Sequence, residues 1–357
     1  MKINFILPVV EKSGGVMVAL NYAKLLKEKG HDVLCYYPIS GAYTGVKKVF
    51  FFKLILRWIK NGEYRGNWYE AKRILKHPMF INSLTVRNAD ITIATSWVTS
   101  YWVNALSKNK GKKIYFIQGY ETWGNNNINK KVKASYKFNF DKRIVVSTEL
   151  HDKLKEECGV ESSIVCNGLE KVFIDSVNKQ KSIDDYITIG FPYRESHGLD
   201  IKNCKMGLEV LNSLYNKRRI KIKAFGFKKP NDWNNKFDFL ENPSRAELIK
   251  FYNSIDVFYV PSIHEGWGLP AMEAMAFKCC VISGNFGVIK EIGINKTNCM
   301  VLKNPEDEKE ALNLLDNLVL DKKLIDSIGQ QAYLSVKNYT IENSVDKFEK
   351  VLLDTVC

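Results

Sequence analysis

The sequence lacks the cysteine patterns that would tie it to a structural metal or to an oxidising compartment. Its 8 cysteines include no C-x-x-C pair and no cluster with histidine at zinc-binding spacing. Cys35 and the adjacent Cys279 and Cys280 stand in apolar runs, which favours reduced thiols inside a protein core. A disulfide-stapled secreted domain and a zinc domain are therefore excluded.

Long apolar runs are also absent. No uninterrupted run approaches the roughly 18 residues that a membrane-spanning helix needs. The N-terminal MKINFILPVV is followed by Glu11 and a glycine turn instead of a cleavage site, so we interpret it as a first buried strand. Neither a solenoid repeat nor a low-complexity tract occurs. We expect a protein of the cytoplasm.

The composition is that of a soluble globular protein, with 45% hydrophobic and 26% charged residues. At 357 residues the chain exceeds the size of about 250–300 at which a single core stops growing, which predicts two domains. Residues 1–180 hold 29 Lys/Arg against 15 Asp/Glu, whereas residues 181–357 hold 24 of each. The basic first half is expected to meet an anionic partner.

The first half opens with a strand–turn–helix–strand pattern. The apolar run KINFILP is followed by Ser13-Gly14-Gly15, an amphipathic helix and a second strand at Val33 to Tyr37. This order predicts a right-handed Rossmann-like crossover. The glycine pair is either a plain tight turn or a ligand-facing turn at a helix N-terminus, and the residues alone favour neither.

Two further buried strands are predicted at Asp90 to Ser96 and Lys113 to Gln118. The second of these is followed by a polar loop. Ligands bind outside the carboxyl ends of parallel strands, so Gln118, Tyr120 and Glu121 are candidates to face the binding cleft.

A basic segment covers residues 46–79, with nine basic residues against two acidic ones. Its part from Phe51 to Lys60 has helical periodicity, with apolar and aromatic side chains on one face and cations on the other. The pattern fits an ordinary domain helix, but the regional charge favours contact with an anionic membrane surface. The membrane-surface candidates are Lys53, Arg57, Lys60 and Trp58.

In the second half, residues 256–292 predict a strand–loop–helix–strand unit. The strand Asp256 to Val260 breaks at Pro261, and Pro270 opens a helix after a loop with two glycines. Glu265 lies in the loop and Glu273 early in the helix. Glycines let backbone N–H groups approach a phosphate, and carboxylates accept hydrogen bonds from hydroxyls.

Two cations flank another predicted strand-to-helix turn. Arg194 follows the strand Tyr186 to Phe191, and Lys202 precedes the next helix. Together they could clamp a pyrophosphate by charge-assisted hydrogen bonds. With 53 Lys/Arg in the chain, solvated surface cations are the alternative interpretation.

The run Glu265 to Ala276 resembles the E-x7-E signature of family 4 glycosyltransferases, which are retaining, nucleotide-sugar-dependent enzymes of the GT-B fold. Similarity extends to residues 252–257, 261–262 and 291–292, and to Gly14-Gly15 and Asn167 to Glu170. The loop Gln118-Gly119-Tyr120-Glu121 replaces one in which many members carry a histidine, and in this the chain resembles a subgroup of rhamnan-type and other surface-polysaccharide transferases.

The resemblance implies an α/β protein with two Rossmann-like domains whose parallel sheets face a central cleft. Residues 1–180 would form the acceptor-binding domain and residues 181–357 the nucleotide-sugar-binding domain, with a polar linker at Asp175 to Asp185. The last helix is a candidate to pack back on the first domain. A UDP, GDP or dTDP sugar would be the co-substrate, with no cofactor and, as no D-x-D pair occurs, no metal.

The resemblance also assigns roles to individual residues. Glu265, Arg194 and Lys202 become the candidate catalytic residues, the last two as ligands of the diphosphate. Glu273 would bind the ribose hydroxyls. The remaining donor-binding candidates are Gly266, Trp267, Gly268, Leu269, Gly14 and Gly15.

Two departures from the family pattern stand out. The family has Lys-Gly about five residues after the arginine, where this chain has Leu199. Many members carry a histidine in the loop where this chain has Gln118 to Glu121, and none of its 5 histidines lies near.

The expected function is transfer of a hexose or deoxyhexose from a nucleotide-sugar to a glycan or lipid-linked glycan acceptor, at the inner face of the membrane. A non-catalytic GT-B-like binding protein is the alternative. A basic nucleic-acid-binding protein is disfavoured, because the second half is balanced in charge and no recognised nucleic-acid motif occurs.

Overall fold

The computed structural model describes residues 1–10, 13–38, 72–122, 124–178, 186–194, 200–231 and 233–356. The chain forms two compact units, one of Met1–Asn167 with Glu342–Cys357 and one of Gly168–Ile341. The border thus falls at Asn167–Gly168, whereas the composition of the sequence placed the linker at residues 175–185. The membrane-surface candidates Lys53, Arg57, Lys60 and Trp58 lie outside the described residues.

The first unit is built on a parallel sheet. Its seven described strands pair in the order β3-β2-β1-β4-β5-β6-β7. The strand at Ile91–Ala94 is buried along its whole length, and residues 114–117 of the next strand are buried as well, as expected for a parallel sheet covered by helices. The elements are β1 (Lys2–Ile6), α1 (Gly14–Glu28), β2 (Asp32–Tyr36), β3 (Leu75–Lys76), β4 (Ile91–Ala94), α2 (Trp97–Ala105), β5 (Lys112–Ile117), α3 (Asn126–Tyr136), β6 (Lys142–Val145), α4 (Thr148–Cys158) and β7 (Ser163–Ile164).

The second unit repeats the parallel arrangement. Its described strands pair in the order β10-β9-β8-β11-β12-β13. The elements are α5 (Lys171–Asp175), β8 (Ile187–Tyr193), α6 (Cys204–Lys217), β9 (Ile220–Gly226), β10 (Asp238–Glu241), α7 (Arg245–Asn253), β11 (Val257–Val260), α8 (Leu269–Ala276), β12 (Cys280–Gly284), α9 (Val288–Ile292), β13 (Met300–Leu302), α10 (Glu308–Leu318) and α11 (Lys322–Val336). The helix that follows, α12 (Ile341–Val356), belongs to the first unit from Glu342 onward. The two parallel α/β sheets confirm the predicted fold class.

Local signals fixed several boundaries. Ser244 and Glu247 form the predicted capping box at the start of α7. The Ser244 side chain accepts a hydrogen bond from Glu247 N, and the Glu247 side chain accepts one from Ser244 N. The predicted strands before and after Glu265–Glu273 appear as β11 and β12. These elements follow from patterns within a few residues of each other.

The chain passes between the units at two points that lie side by side. Leu169 forms a parallel bridge with Thr340, and Ile341 N donates to Leu169 O at 2.8 Å. A side chain at Gly168 would place a Cβ 2.1 Å from Thr340 O, so only glycine fits there.

The last helix, α12, completes the core of the first unit. The buried Phe348 ring lies 5.0 Å from the ring of Phe116 and 5.1 Å from that of Tyr22 (centroid distances), with an edge-to-face arrangement to each. At the helix surface, Lys29 pairs with Asp346 at 2.8 Å and with Glu349 at 2.9 Å. The first unit is therefore built from both ends of the chain.

None of the helices in the described ranges combines the length and the apolar character that a membrane span requires.

We predict that Phe348→Ala destabilises the first unit by about 3–5 kcal/mol, the usual cost of truncating a buried phenylalanine. Leu353→Ala is the matched control, since Leu353 lies on the same helix and is 43% exposed. Its effect should stay within about 0.5 kcal/mol. Urea unfolding followed by circular dichroism measures both, and equal midpoints for the two variants would show that α12 is not part of this core.

Candidate functional site

The loop between β11 and α8 is held in place at both of its ends. Ile263 N donates to Ile201 O at 2.9 Å, and Val288 N donates to Trp267 O at 2.7 Å. The Trp267 ring is buried, and its Nε1 lies 3.3 Å from Met272 Sδ. Gly268, at φ +82°, turns the chain into the helix in a conformation that favours glycine. The loop is thus a fixed element of the second unit.

Glu265 sits in this loop between a lysine and a serine. Lys202 Nζ lies 2.6 Å from both carboxylate oxygens, and Ser262 Oγ donates to Oε1 at 2.7 Å. Ser262 is buried, and the ion pair is partly shielded from solvent. The structure therefore brings together two residues that the sequence identified separately, Glu265 and Lys202.

Glu273 occupies a different electrostatic environment, one turn into α8. Tyr252 Oη donates to its Oε2 at 2.7 Å. Burial raises the pKa of Glu273 to about 7; the Tyr252 hydrogen bond opposes the rise, the charge of Glu170 adds to it and that of Arg245 lowers it. The carboxyl is consequently near its midpoint of ionisation at neutral pH.

Glu170 and Arg245 form an ion pair beside this carboxyl, with Arg245 Nη2 donating to Glu170 Oε1 at 2.6 Å. Neither residue, nor Tyr252, was singled out as functional from the sequence, although Glu170 and Tyr252 lie in the stretches that carry the family resemblance. Their contribution depends on contacts between α5, α7 and α8, which no local pattern reveals.

Arg194 directly follows β8 and is exposed. Its backbone N donates to Sγ of Cys204, the first residue of α6, at 3.3 Å. The arginine thus lies at the N-terminus of a helix, where partial positive charge favours anions. Leu199, which departs from the family pattern, lies outside the described residues.

In the first unit, Gln118 and the glycine pair come together. Gln118 Nε2 donates to Gly15 O at 2.9 Å, across 103 positions of the sequence. A Cβ at Gly15 would lie 3.6 Å from Gln118 Oε1, while Gly14 has open space on that side. The turn at the N-terminus of α1 is therefore joined to the loop after β5.

Glu121 caps the neighbouring helix. Its Oε1 accepts a hydrogen bond from Trp97 N, at the start of α2, at 3.0 Å. Burial raises the pKa of Glu121 to about 8, and the Trp97 hydrogen bond only partly offsets this.

Tyr120, the third cleft candidate of this loop, is 3% exposed. Its hydroxyl donates to Glu157 Oε2 at 2.8 Å, and its ring stacks on Tyr136 with centroids 5.3 Å apart. Its side chain points into the core of the first unit, because an aromatic body gains more from burial than from water.

In the described part of the chain, no three His, Cys, Asp or Glu side chains are grouped as a metal site would need.

Comparison with curated proteins finds related sequences among bacterial and archaeal glycosyltransferases. The chain is 26% identical over 217 residues to the O-antigen chain mannosyltransferase RfbU of Salmonella typhimurium, a match covering 58% of this chain and 57% of that protein. It is 27% identical over 244 residues to an uncharacterized glycosyltransferase of Methanocaldococcus jannaschii, covering 63% and 64%. The chain thus spans less than two thirds of these relatives' length.

Solved structures resemble the chain over nearly its whole length. Anabaena HepE in complex with UDP superposes with a TM-score of 0.74 at 14% identity, covering 99% of this chain and 100% of that one. Sucrose-phosphate synthase from Thermosynechococcus elongatus superposes with a TM-score of 0.72 at 13% identity, covering 99% and 98%. At this level of identity the likeness concerns the fold.

The family model described as "Glycosyl transferases group 1" matches residues 230–335, which include β11, α8 and β12. This match places residues 230–335 among the group 1 glycosyl transferases, and the two parallel sheets of the chain have the GT-B fold of the solved structures.

Proposed function

We propose that the protein transfers a hexose or deoxyhexose, with retention of anomeric configuration, from a nucleotide-sugar to a glycan or lipid-linked glycan acceptor. The observation that carries the proposal is a pair of carboxyls on one fixed loop and the helix that follows it. Glu265 forms an ion pair with Lys202, and Glu273 has a pKa of about 7. RfbU is named as a mannosyltransferase of the O-antigen chain, and HepE was solved with UDP-glucose. The first supports a polysaccharide-building enzyme, and the second supports a nucleotide-sugar donor.

In this proposal the second unit binds both the nucleoside and the sugar of the donor. Glu273 accepts hydrogen bonds from the ribose hydroxyls, and Glu265 orients the sugar with backbone groups of Gly266 to Leu269 beside it. Arg194 and the N-terminus of α6 bind the diphosphate, since cations and unpaired N–H groups stabilise anions there. Gly14 and Gly15 of the first unit are proposed as further donor-binding residues.

Lys202 is proposed as the second diphosphate ligand. An ammonium group has three N–H donors, and the structure uses donors of Lys202 on the oxygens of Glu265. A remaining donor is available for a phosphate oxygen. Lys202 would then couple the carboxylate that orients the sugar to the leaving group.

The chemical step follows from this arrangement. The bond between the anomeric carbon and the diphosphate oxygen breaks as the acceptor oxygen bonds to the same face of the sugar. The acceptor's proton passes to the leaving phosphate, so no protein nucleophile or metal is required. Arg194 and Lys202 stabilise the negative charge that develops, a contribution that is usually large when the groups are preorganised.

The acceptor is proposed to be presented by the first unit, whose Gln118 and Glu121 lie after the carboxyl end of β5. A carboxyl with a pKa of about 8 is largely protonated at neutral pH and can donate a hydrogen bond to an acceptor hydroxyl. The excess of basic residues in the first 180 positions supports work on a lipid-linked acceptor at the inner membrane face.

We predict that Arg194→Ala lowers donor turnover by about a hundredfold or more, the usual loss for one preorganised donor to a developing anion. Glu273→Ala should weaken nucleotide binding about tenfold or more, because it removes a charged acceptor of hydroxyl hydrogen bonds. Lys217→Ala is the matched control, since Lys217 is an exposed cation in the last turn of α6, at the opposite end from the proposed diphosphate site. Turnover is measured as release of nucleoside diphosphate, and affinity by calorimetry.

Near-native turnover and affinity in both variants would contradict the site assignment. Tight nucleotide-sugar binding without any turnover in the wild type would instead identify a non-catalytic binding protein.

We also predict that affinity for the nucleotide-sugar rises with pH up to about 7, by roughly tenfold per pH unit, as Glu273 ionises. The raised pKa means that the protonated carboxyl favours the folded protein at low pH, an advantage lost as pH rises through about 7. Binding that needs the carboxylate must therefore expel a proton below this pH. Calorimetry in buffers of different ionisation enthalpy measures that proton.

Glu273→Gln is the control for this pH dependence, since an amide does not titrate. Its affinity should be flat across the same range. A wild-type profile that is equally flat would show that Glu273 does not contact the nucleotide as a carboxylate.

For the segment 51–60, we predict that wild-type protein co-sediments with anionic vesicles and that Lys53/Arg57/Lys60→Glu weakens this binding. Each basic residue near an anionic surface contributes about 1 kcal/mol, and salt screens it. Equal sedimentation of the two proteins at low salt would exclude this segment from membrane contact.

A further inference from the structure

A turn on the first unit exposes three large apolar side chains within six positions. In the segment Met79–Thr85, called here the apolar turn, Met79 is 41% exposed, Phe80 56% and Leu84 96%. Single exposed apolar side chains are ordinary on protein surfaces, but a cluster marks an interaction site.

Hydrogen bonds hold the apolar turn in this conformation. Asn82 Oδ1 accepts from Leu84 N at 2.9 Å and from Thr85 N at 3.1 Å, and Thr85 Oγ1 donates to Phe80 O at 2.7 Å. Ser107 N donates to Ser83 Oγ at 2.9 Å, which ties the turn to the chain that follows α2. The apolar side chains are therefore exposed on a hydrogen-bonded turn and not on a frayed chain end.

The surroundings of the apolar turn are basic. Residues 72–112 contain seven Lys or Arg and a single acidic residue, Asp90, whose carboxylate accepts a hydrogen bond from Lys2 N at 2.7 Å. Lys108, which follows the tether residue Ser107, is exposed. By contrast, Leu320 of the second unit is 64% exposed but stands next to Asp321.

We propose that the apolar turn is a docking surface for a lipid bilayer with anionic headgroups. Met79, Phe80 and Leu84 enter the interfacial layer, and the exposed cations Arg73, Lys76 and Lys108 bind the headgroups. Of the other cations, Arg87 and Lys112 are paired with Asp32 and Asp141, and Lys110 is buried. Apolar side chains with flanking cations are the combination that holds a protein at such an interface. A second copy of the chain fits less well, because the same basic surface would face itself.

This inference rests on the proposed function for its purpose, since it brings the enzyme to a lipid-linked acceptor. It does not involve any residue assigned to donor binding. The two can therefore fail separately.

The first test is Leu84→Asp in flotation with vesicles of phosphatidylcholine containing phosphatidylglycerol. Partitioning should fall by about tenfold or more. The variant lacks the leucine that the bilayer would bury, and it adds a negative charge that the headgroups repel. Leu320→Asp is the matched control and should partition like the wild type. At 96% exposure, Leu84 makes little contribution to the fold, which melting temperatures of both variants verify.

The second test concerns charge. Lys108→Gln should weaken partitioning about fivefold, the loss expected for one cation at an anionic surface. Lys309→Gln, an exposed lysine of α10, should have no effect. Wild-type binding should weaken with added salt and with vesicles of phosphatidylcholine alone.

Unchanged partitioning of Leu84→Asp would overturn the proposal, as would equal binding of the wild type to neutral and anionic vesicles. A wild-type dimer that Leu84→Asp converts to a monomer, without any vesicle binding, would identify the turn as a contact between copies.

Donor turnover with a water-soluble acceptor separates this inference from the proposed function. Leu84→Asp should keep wild-type turnover while losing vesicle binding. Loss of vesicle binding in Leu84→Asp together with full activity of Arg194→Ala and Glu273→Ala would leave the docking surface standing and refute the donor site.

Discussion

Parallel strand pairing is the constraint on which the candidate site depends. In a parallel sheet every strand ends at the same edge, so the loops that follow the strands are neighbours whatever their distance in sequence. In the second unit β8 pairs directly with β11, with Val257 opposite Ile189. The residues that follow these strands, Arg194 and the loop of Glu265, are therefore brought to one edge by the pairing itself.

The two glutamates of the signature show how one residue type acquires two electrostatic characters. Glu265 forms an ion pair with Lys202, with Lys202 Nζ 2.6 Å from the carboxylate. Glu273 is buried against a tyrosine hydroxyl, and burial raises its pKa to about 7. In the proposed function the first carboxyl orients the sugar, and the second makes nucleotide binding depend on pH.

The first unit has a core that includes the last helix of the chain and a surface that exposes the apolar turn. Phe348 inserts the last helix among side chains from β5 and α1, so the core of this unit depends on the far end of the chain. Outside that core, the apolar turn presents Leu84 to solvent within a basic segment. A stable core beneath such a surface is what a reversible membrane contact needs, since binding then costs little ordering.

What the sequence determined by itself was local: the strands around Glu265, the capping box of Ser244 and Glu247, the two parallel sheets and the family signature. The strands and the capping box follow from periodicity and spacing over a few residues, and the pair of parallel sheets was implied by the resemblance that the signature carries. Tertiary structure alone decided the partner of Glu265, the pKa of Glu273, the joining of Gln118 to Gly15 and the burial of Tyr120. Each of these depends on side chains that are distant in sequence and on how much water they exclude. A local sequence pattern predicts neither such contacts nor the desolvation of a buried group.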